Sequence, residues 1–465
     1  MDSSAVKHDR CAQLLEWAKQ NGTFVHKNLK FIQTEHRGIE AIADPSGPGI
    51  DALDVLLRIN YKTSFSYWNA IAAGKLDSSY CPQAPPLPRR FLDTCADHET
   101  VSAIFLVQHY LLGERSFWFP YIQTLPQPDD ADDTAIPLIW EDEDLSWLHG
   151  TYLGHETPKQ RRDLETRWDH ALTQLADYGW DTTAYTSHLG LWAHYIFISR
   201  SFSTLAIEGD IANIKDEYHP IFKSGACIDD VPKVLLPILD LLNHDQHTGL
   251  AYDLTDEGLG LAKPMRVAPG QTVENSYDKD TQRWSNTVLL KDFGFILPAN
   301  EFPELVLVPP IETTKPVHPS HVVFSTNSTT DDFYASSDEI LLSFVTVRAP
   351  LRHPHGLVNP NHPSRTLRHF HPKLVSMVAF HVATLLERAA LREDPDTPPS
   401  RRNQQATAAF LVDHVKRMLS DLLKEEREPR NGRQRLAQRY RSEQVAIIEA
   451  VLRDAAVQSE SFLRE

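Results

Sequence analysis

The order in which hydrophobic periodicity changes along this chain constrains its fold more than any other feature. Residues 4–20 place Leu14, Leu15, Trp17 and Ala18 at helical spacing and stop at Asn21-Gly22, a good helix C-cap. Short β-branched pieces follow at Thr23–His26, Lys30–Gln33 and Ile39–Ala43, with a Pro-Ser-Gly-Pro-Gly turn cluster at 45–49. From Val101 to Leu112, and from Arg161 to Leu205, apolar residues recur at three and four, which predicts helix. Residues 232–297 return to strand-like pieces separated by turn signals. From about residue 366 the pattern is helical again, with helices predicted over 374–392 and 407–426 and breaks at Asp394–Pro399 and Glu428-Pro429. Strand-like regions on both sides of a helical stretch predict an α+β protein: a β-rich core with a helical insertion, followed by an all-α C-terminal domain.

Composition narrows the function. The chain has 465 residues, with 46 Lys and Arg against 63 Asp and Glu, a formal charge of −17. That balance argues against gripping phosphate backbones, so no nucleic-acid partner is expected. Apolar runs such as Val234–Leu239 are far shorter than the roughly 18–20 residues of a membrane span, so no membrane partner is expected either. The N-terminus is charged throughout and reads as no secretory signal. Cys11, Cys81, Cys95 and Cys227 form no CxxC pair and are too few to staple the chain, which places it in a reducing compartment, cytoplasmic or nuclear. Glycine is scarce (19) and proline plentiful (31), and no phosphate-cradling glycine motif occurs. His353, His355, His362, His369 and His371 match no standard zinc spacing, so no metal is assigned. Residues 127–146 hold six Asp and two Glu and read as a solvated loop, or as an acidic lip for a basic partner.

Three blocks in the second strand-like region carry the chemistry. Pro237-Ile-Leu-Asp-Leu-Leu-Asn-His244 is followed by Pro269-Gly-Gln-Thr-Val-Glu-Asn-Ser-Tyr-Asp278, and then by Ser285-Asn-Thr-Val-Leu-Leu-Lys-Asp-Phe-Gly-Phe295. In this order they resemble the SET-domain protein methyltransferases, in the branch typified by the Rubisco large-subunit lysine methyltransferase. Ser199-Arg-Ser-Phe202 resembles that branch's S-R-x-F helix end. Gly113-Glu-Arg-Ser-Phe-Trp-Phe-Pro-Tyr121 with Leu125-Pro126, Trp140 and Leu148 resembles its aromatic and proline block, and Leu436–Glu443 with Ile447-Ile448 loosely resembles a C-terminal helix motif.

The resemblance implies an N-terminal helix (1–22), a SET core in two parts (23–100 and 221–300) split by a helical insertion (101–220), and a helical substrate-binding domain (310–465). It implies S-adenosyl-L-methionine as cofactor and a lysine of a non-histone protein as acceptor, and the acidic charge of the chain makes a basic partner the expected one. Tyr277 corresponds to the active-site tyrosine; Arg37, Gly38, Asn243, His244 and Arg200 to the cofactor contacts; Phe202, Ser276, Phe293 and Phe295 to the substrate channel. Such chemistry needs no acid and no metal: the protein aligns amine, methyl and sulfur and removes water, and burial beside a cation lowers the amine's pKa.

The chain departs from the branch at its first motif, a Gly-x-Gly turn, where His36 stands in place of the first glycine and Gly38 is kept. A side chain there crowds a ligand-facing backbone. Ile59-Asn60 replaces an Ile-Pro, and residues 278–284 run longer than usual. The departures leave two alternatives open: a SET scaffold whose site is lost or repurposed, as a binding module or a small-molecule enzyme, and a histidine N-methyltransferase.

Overall fold

The computed structural model describes residues 3–34, 37–72, 85–95, 97–129, 136–203, 232–255, 258–277, 283–298, 300–307, 345–348, 372–393, 399–424 and 427–462. His36, Cys81, Cys227, the His353–His371 stretch and residues 130–135 of the acidic stretch lie outside these. The chain divides into two compact units, Met1–Ile139 with Gln160–Arg283, and Trp140–Lys159 with Trp284–Glu465.

The first unit opens with α1 (Ser3–Gln20), which buries Cys11, Leu14 and Ala18. It ends as Asn21-Gly22 predicts: Gly22 takes φ +91°, its N–H donates to the Lys19 carbonyl, and the Thr23 N–H donates to Ala18 O at 2.9 Å. This paired arrangement satisfies carbonyls that the helix end would leave bare.

Three antiparallel sheets follow, and each joins strands from opposite sides of the helical stretch. β1 (Phe24–Val25), β4 (Val55–Asn60), β9 (Gly258–Ala262) and β8 (Ala251–Leu254) pair in that order, with Ile59 opposite Leu259. β2 (Leu29–Thr34) pairs with β3 (Gly38–Ala43), whose other edge takes β10 (Thr272–Val273), with Val273 opposite Ala41. β7 (Lys233–Leu235) lies between β5 (Phe65–Ser66) and β6 (Ser201–Ser203), with Phe202 opposite Val234. Strands so far apart in sequence pair because each buries an apolar face in one core, which includes Leu57, Ile59, Phe65, Val234, Leu259 and Leu261.

The inserted helices complete that core. After α2 (Tyr67–Ala72) and α3 (Arg89–Thr94), α4 (His98–Leu112) starts at Asp97, whose carboxylate accepts from the Glu99 and Thr100 N–H groups, and buries residues on all sides. The short α5 (Phe119–Ile122) precedes α6 (Asp142–Leu145), which belongs to the second unit. The predicted helix over 161–205 is two: α7 (Tyr152–Asp177) and α8 (Ser187–Arg200), the latter capped by the Thr186 hydroxyl. Gly190 lets α8 approach Trp168 of α7; a Cβ there would stand 2.6 Å from the indole.

The second unit is mainly helical, with one strand pair, β11 (Glu304–Leu307) and β12 (Val345–Arg348). Helix Arg401–Leu423 buries Leu411, Val415, Met418 and Leu422 against Ile447, Ile448 and Val451 of helix Gly432–Phe462. The predicted helix over 374–392 is broken into Pro372–His381 and Leu385–Glu393. The break is a reciprocal cap: Thr384 N–H donates to Glu387 Oε2 at 2.8 Å, and the Thr384 hydroxyl accepts from Glu387 N–H at 3.4 Å. That Thr-x-x-Glu signature stands in the sequence beneath a stronger apolar period. Trp140–Lys159 joins this unit through Trp140, Leu145, Trp147, Leu148, Tyr152 and Leu153, which pack with Tyr440. Among the described residues no helix is long and apolar enough to cross a membrane.

Candidate active site

The segment after β7 makes a tight, buried turn. Ile238 takes φ +75°, a conformation that costs energy for a branched residue, and the 3-10 turn Leu239–Leu241 follows. The strain is held by burial, with Leu236, Ile238 and Leu239 wholly enclosed. Out of this turn the chain runs parallel to the stretch after β10: Asn275 N–H donates to Asn243 O at 2.9 Å, and Asp245 N–H to Asn275 O at 3.0 Å.

This pairing sets Asn243 and His244 beside Ser276 and Tyr277. His244 Nδ1 accepts from the Tyr277 N–H at 3.0 Å, and the two ring centroids are 5.0 Å apart. Because Nδ1 is an acceptor, a neutral His244 carries its proton on Nε2. The Tyr277 hydroxyl donates to the Leu242 carbonyl at 2.9 Å, so toward other neighbours its oxygen is an acceptor. Burial pushes the phenol's pKa up to about 12, with Arg200 pulling the other way, and it stays protonated through the physiological range.

Asn243 ties this pair to the glycine turn. Its Nδ2 donates to Arg37 O at 3.3 Å and Ile39 O at 3.2 Å. Gly38 between them takes φ +68°, and among the described residues nothing lies within 4 Å of where its Cβ would stand, so the backbone there is open to them on one side. The Arg37 guanidinium is held by two carboxylates, Glu274 Oε1 at 2.7 Å and Glu40 Oε1 at 3.1 Å. What Arg37 offers a ligand is therefore its backbone more than its charge.

Arg200, the last residue of α8, donates from Nη1 to Asp240 Oδ2 and to the Asp240 carbonyl, both at 3.2 Å. Asp240 is fully enclosed, and burial raises its pKa against the pull of Arg200. Burial also works against the Arg200 charge, but the adjacent carboxylate outweighs it and holds the guanidinium above its ordinary range. Phe202, two residues on in β6, packs against the core of the first unit.

The first unit thus brings together Arg37, Gly38, Asn243, His244, Ser276 and Tyr277, with Arg200 electrostatically coupled to Tyr277. Phe293 and Phe295 belong to the second unit, where their rings lie 6.5 Å apart at the end of a π-helical turn, Leu289–Phe293. Asn286, just before that turn, is a tie within the second unit: its amide bonds both polar groups of Leu297 and the Glu443 carboxylate. Sequence reasoning missed Asp240, Glu274 and Tyr121. Asp240 opens the D-x-x-N-H segment and Tyr121 closes the aromatic block, so both stood inside quoted motifs; nothing in the sequence pairs them. Among the described residues no cluster of three metal-ligating side chains occurs.

Known proteins share this fold. No family model matches the chain. Ribosomal lysine N-methyltransferase set10 of Schizosaccharomyces pombe is 26% identical over 302 residues, 63% of this chain and 47% of that protein. Ribosomal lysine N-methyltransferase 1 of Saccharomyces cerevisiae is 22% identical over 353 residues, 66% of this chain and 51% of that protein. The chain therefore spans about half the length of these two relatives. N-lysine methyltransferase setd6 of Xenopus laevis is 24% identical over 200 residues, 42% of this chain and 40% of that protein. The SET domain of LSMT solved with methyl-lysine and AdoHcy superposes with a TM-score of 0.62 at 19% identity, covering 95% of this chain and 90% of that one. Rubisco LSMT bound to AdoMet gives 0.60 at 19% identity, covering 97% and 92%. With its split sheets and its tyrosine, asparagine-histidine and glycine-turn segments joined in one unit, this chain has the fold of the LSMT SET-domain structures.

Proposed function

We propose that this protein is an S-adenosyl-L-methionine-dependent protein-lysine N-methyltransferase acting on a non-histone protein. One observation carries the reading: Asn243, His244 and Tyr277 are bonded into a single unit with the Arg37–Ile39 turn, although more than 200 residues separate Asn243 from that turn. The residues present fit the cofactor. Gly38 leaves an open side at a backbone turn, and Arg200 supplies a partly exposed cation near Tyr277.

Arg37 and Gly38 through their backbone, with Asn243, His244 and Arg200, would hold the cofactor, which supplies an electrophilic methyl group on a sulfonium when bound. The Tyr277 hydroxyl gives its proton to Leu242, so toward an ammonium or a methyl hydrogen its oxygen acts as an acceptor. Tyr277 is no general base, because it holds its proton up to about pH 12. The acceptor amine is instead made neutral by enclosure, which disfavours its charged form, and loses its proton to water before transfer. Ser276 and Phe202 are proposed to line the acceptor channel. The helical region at 310–465 is proposed to recruit the substrate.

The two ribosomal relatives favour a ribosomal protein as acceptor, and the charge of −17 favours a basic one over nucleic acid. Free cysteines at 11 and 95 support a reducing compartment, cytoplasm or nucleus. The test uses purified protein, methyl-labelled cofactor and ribosomal subunits. Label is expected on one protein's lysine, and Tyr277→Phe should lower transfer by about 100-fold or more, the scale of one positioned catalytic group, with the melting temperature kept. No label on any protein, together with no S-adenosylhomocysteine binding at millimolar ligand, sinks the reading. Label recovered on histidine would move the acceptor.

A further inference from the structure

Tyr121 closes the aromatic block after Gly113, and the site described above leaves it without a role. α5 holds it in the core, fully buried. A buried phenol needs a partner, and the Tyr121 hydroxyl donates to Asp240 Oδ2 at 2.9 Å. The same oxygen accepts from Arg200 Nη1 at 3.2 Å. Asp240 Oδ1 is buried without a hydrogen-bond partner among the described residues. One carboxylate oxygen thus takes both donors and the other takes none, so the Tyr121 bond decides which oxygen faces Arg200. Arg200 uses only Nη1 in these bonds, its side chain stays 24% exposed, and it acts electrostatically on Tyr277. Among the described residues the rest of its planar fork makes no hydrogen bond, which leaves it for a ligand.

We infer that Tyr121 is a positioning residue of the methyl-transfer site: its hydroxyl locks the Asp240 carboxylate, and Asp240 aims the free side of the Arg200 guanidinium at the bound cofactor. Tyr121 itself touches neither cofactor nor acceptor. The inference rests on the methyltransferase reading, because it needs a ligand for Arg200 to meet. The chain Tyr121 to Asp240 to Arg200 also connects α5 to the end of α8, so the inserted helices take part in holding the site.

Calorimetry with S-adenosylhomocysteine on the full-length protein tests it. Tyr121→Phe should raise Kd about tenfold, the scale of one lost hydrogen bond to a charged group. In turnover, KM for the cofactor should rise similarly while kcat changes less than about threefold, since the reacting atoms are untouched. Arg200→Lys leaves α5 intact and removes the fork; on that background Tyr121→Phe should add nothing, because the path to the ligand is already cut. A lowered melting temperature with Kd unchanged makes Tyr121 a packing residue and overturns the inference, as do additive effects of the two substitutions. If Tyr121→Phe fails to fold, Asp240→Asn replaces it, and a Kd unchanged by that variant overturns the inference equally. Wild-type protein that binds no S-adenosylhomocysteine overturns the methyltransferase reading with it, whereas wild-type binding with an unaffected variant overturns this inference alone.

Discussion

His109 sits in α4 among the rings of Phe65, Phe105 and Trp118, with centroids 4.5–5.8 Å away. Nδ1 bonds the Ser116 hydroxyl at 2.9 Å, Nε2 has no partner among the described residues, and burial pushes its pKa down to about 3. Burial likewise takes His194 to about 4. Both fold neutral, so the unfolded chain binds their protons first as pH falls below about 6.5, and stability drops from there toward the folded values. Each contributes at most about 1.4 kcal/mol per pH unit in that window. Urea midpoints at pH 7 and pH 5 should show a smaller drop for His109→Phe than for wild type; equal drops would mean that His109 does not titrate as its burial dictates. At this scale the sequence named Tyr277, Asn243 and His244 through their motif. It could not name Asp240 as the partner of Tyr121, because a contact across 119 positions has no local signal.

Helices in this protein are placed by their ends and by close approach more than by propensity. Asp97, Thr186, Thr384 and Ser400 cap four of them, and each is a residue type that competes with the helix backbone anywhere else. Thr384→Ala removes one side of a reciprocal cap and should cost about 1 kcal/mol by chemical denaturation. Gly190 gives the opposite sign to intuition. Alanine is favoured over glycine by roughly 1 kcal/mol inside a helix, yet a Cβ at Gly190 lies 2.6 Å from the Trp168 ring. Overpacking of that kind costs about 1–3 kcal/mol, so Gly190→Ala should lower the melting temperature; a rise would show that α7 and α8 can separate freely. The break at Val382–Thr384 shows how element boundaries escape a periodicity count: apolar residues continue at three and four while the Thr384 and Glu387 side chains stop the helix.

The charge of the whole molecule is unevenly placed, −20 over the first 400 residues and +3 over residues 401–465. Residues 1–400 include the unit with the tyrosine and glycine-turn segments, so its field should draw a basic acceptor protein toward it. That predicts kcat/KM falling several-fold between 50 and 300 mM salt, with kcat unchanged, since screening acts on encounter. Flat kcat/KM over this range would remove the case for a basic substrate. Saturating S-adenosylhomocysteine at about 100 times Kd should add about 2.7 kcal/mol to the stability of the protein, read as a raised melting temperature.

The sequence by itself determined the alternation of β and helical regions, the order of the motif blocks, the cap at Asn21-Gly22, and the charge. All of these are set by neighbours within a few residues or by simple sums. Only the tertiary structure decided that each sheet of the first unit takes strands from both sides of the insertion, that Trp140–Lys159 joins the C-terminal unit, and that Asn243 reaches back to Arg37 and Ile39. The physical reason is the same in each case. A strand edge, an apolar face or a buried donor states what it needs, an acceptor or a dry surface, but not which distant segment supplies it. That choice is made when the whole core closes and every buried polar group has to find a partner.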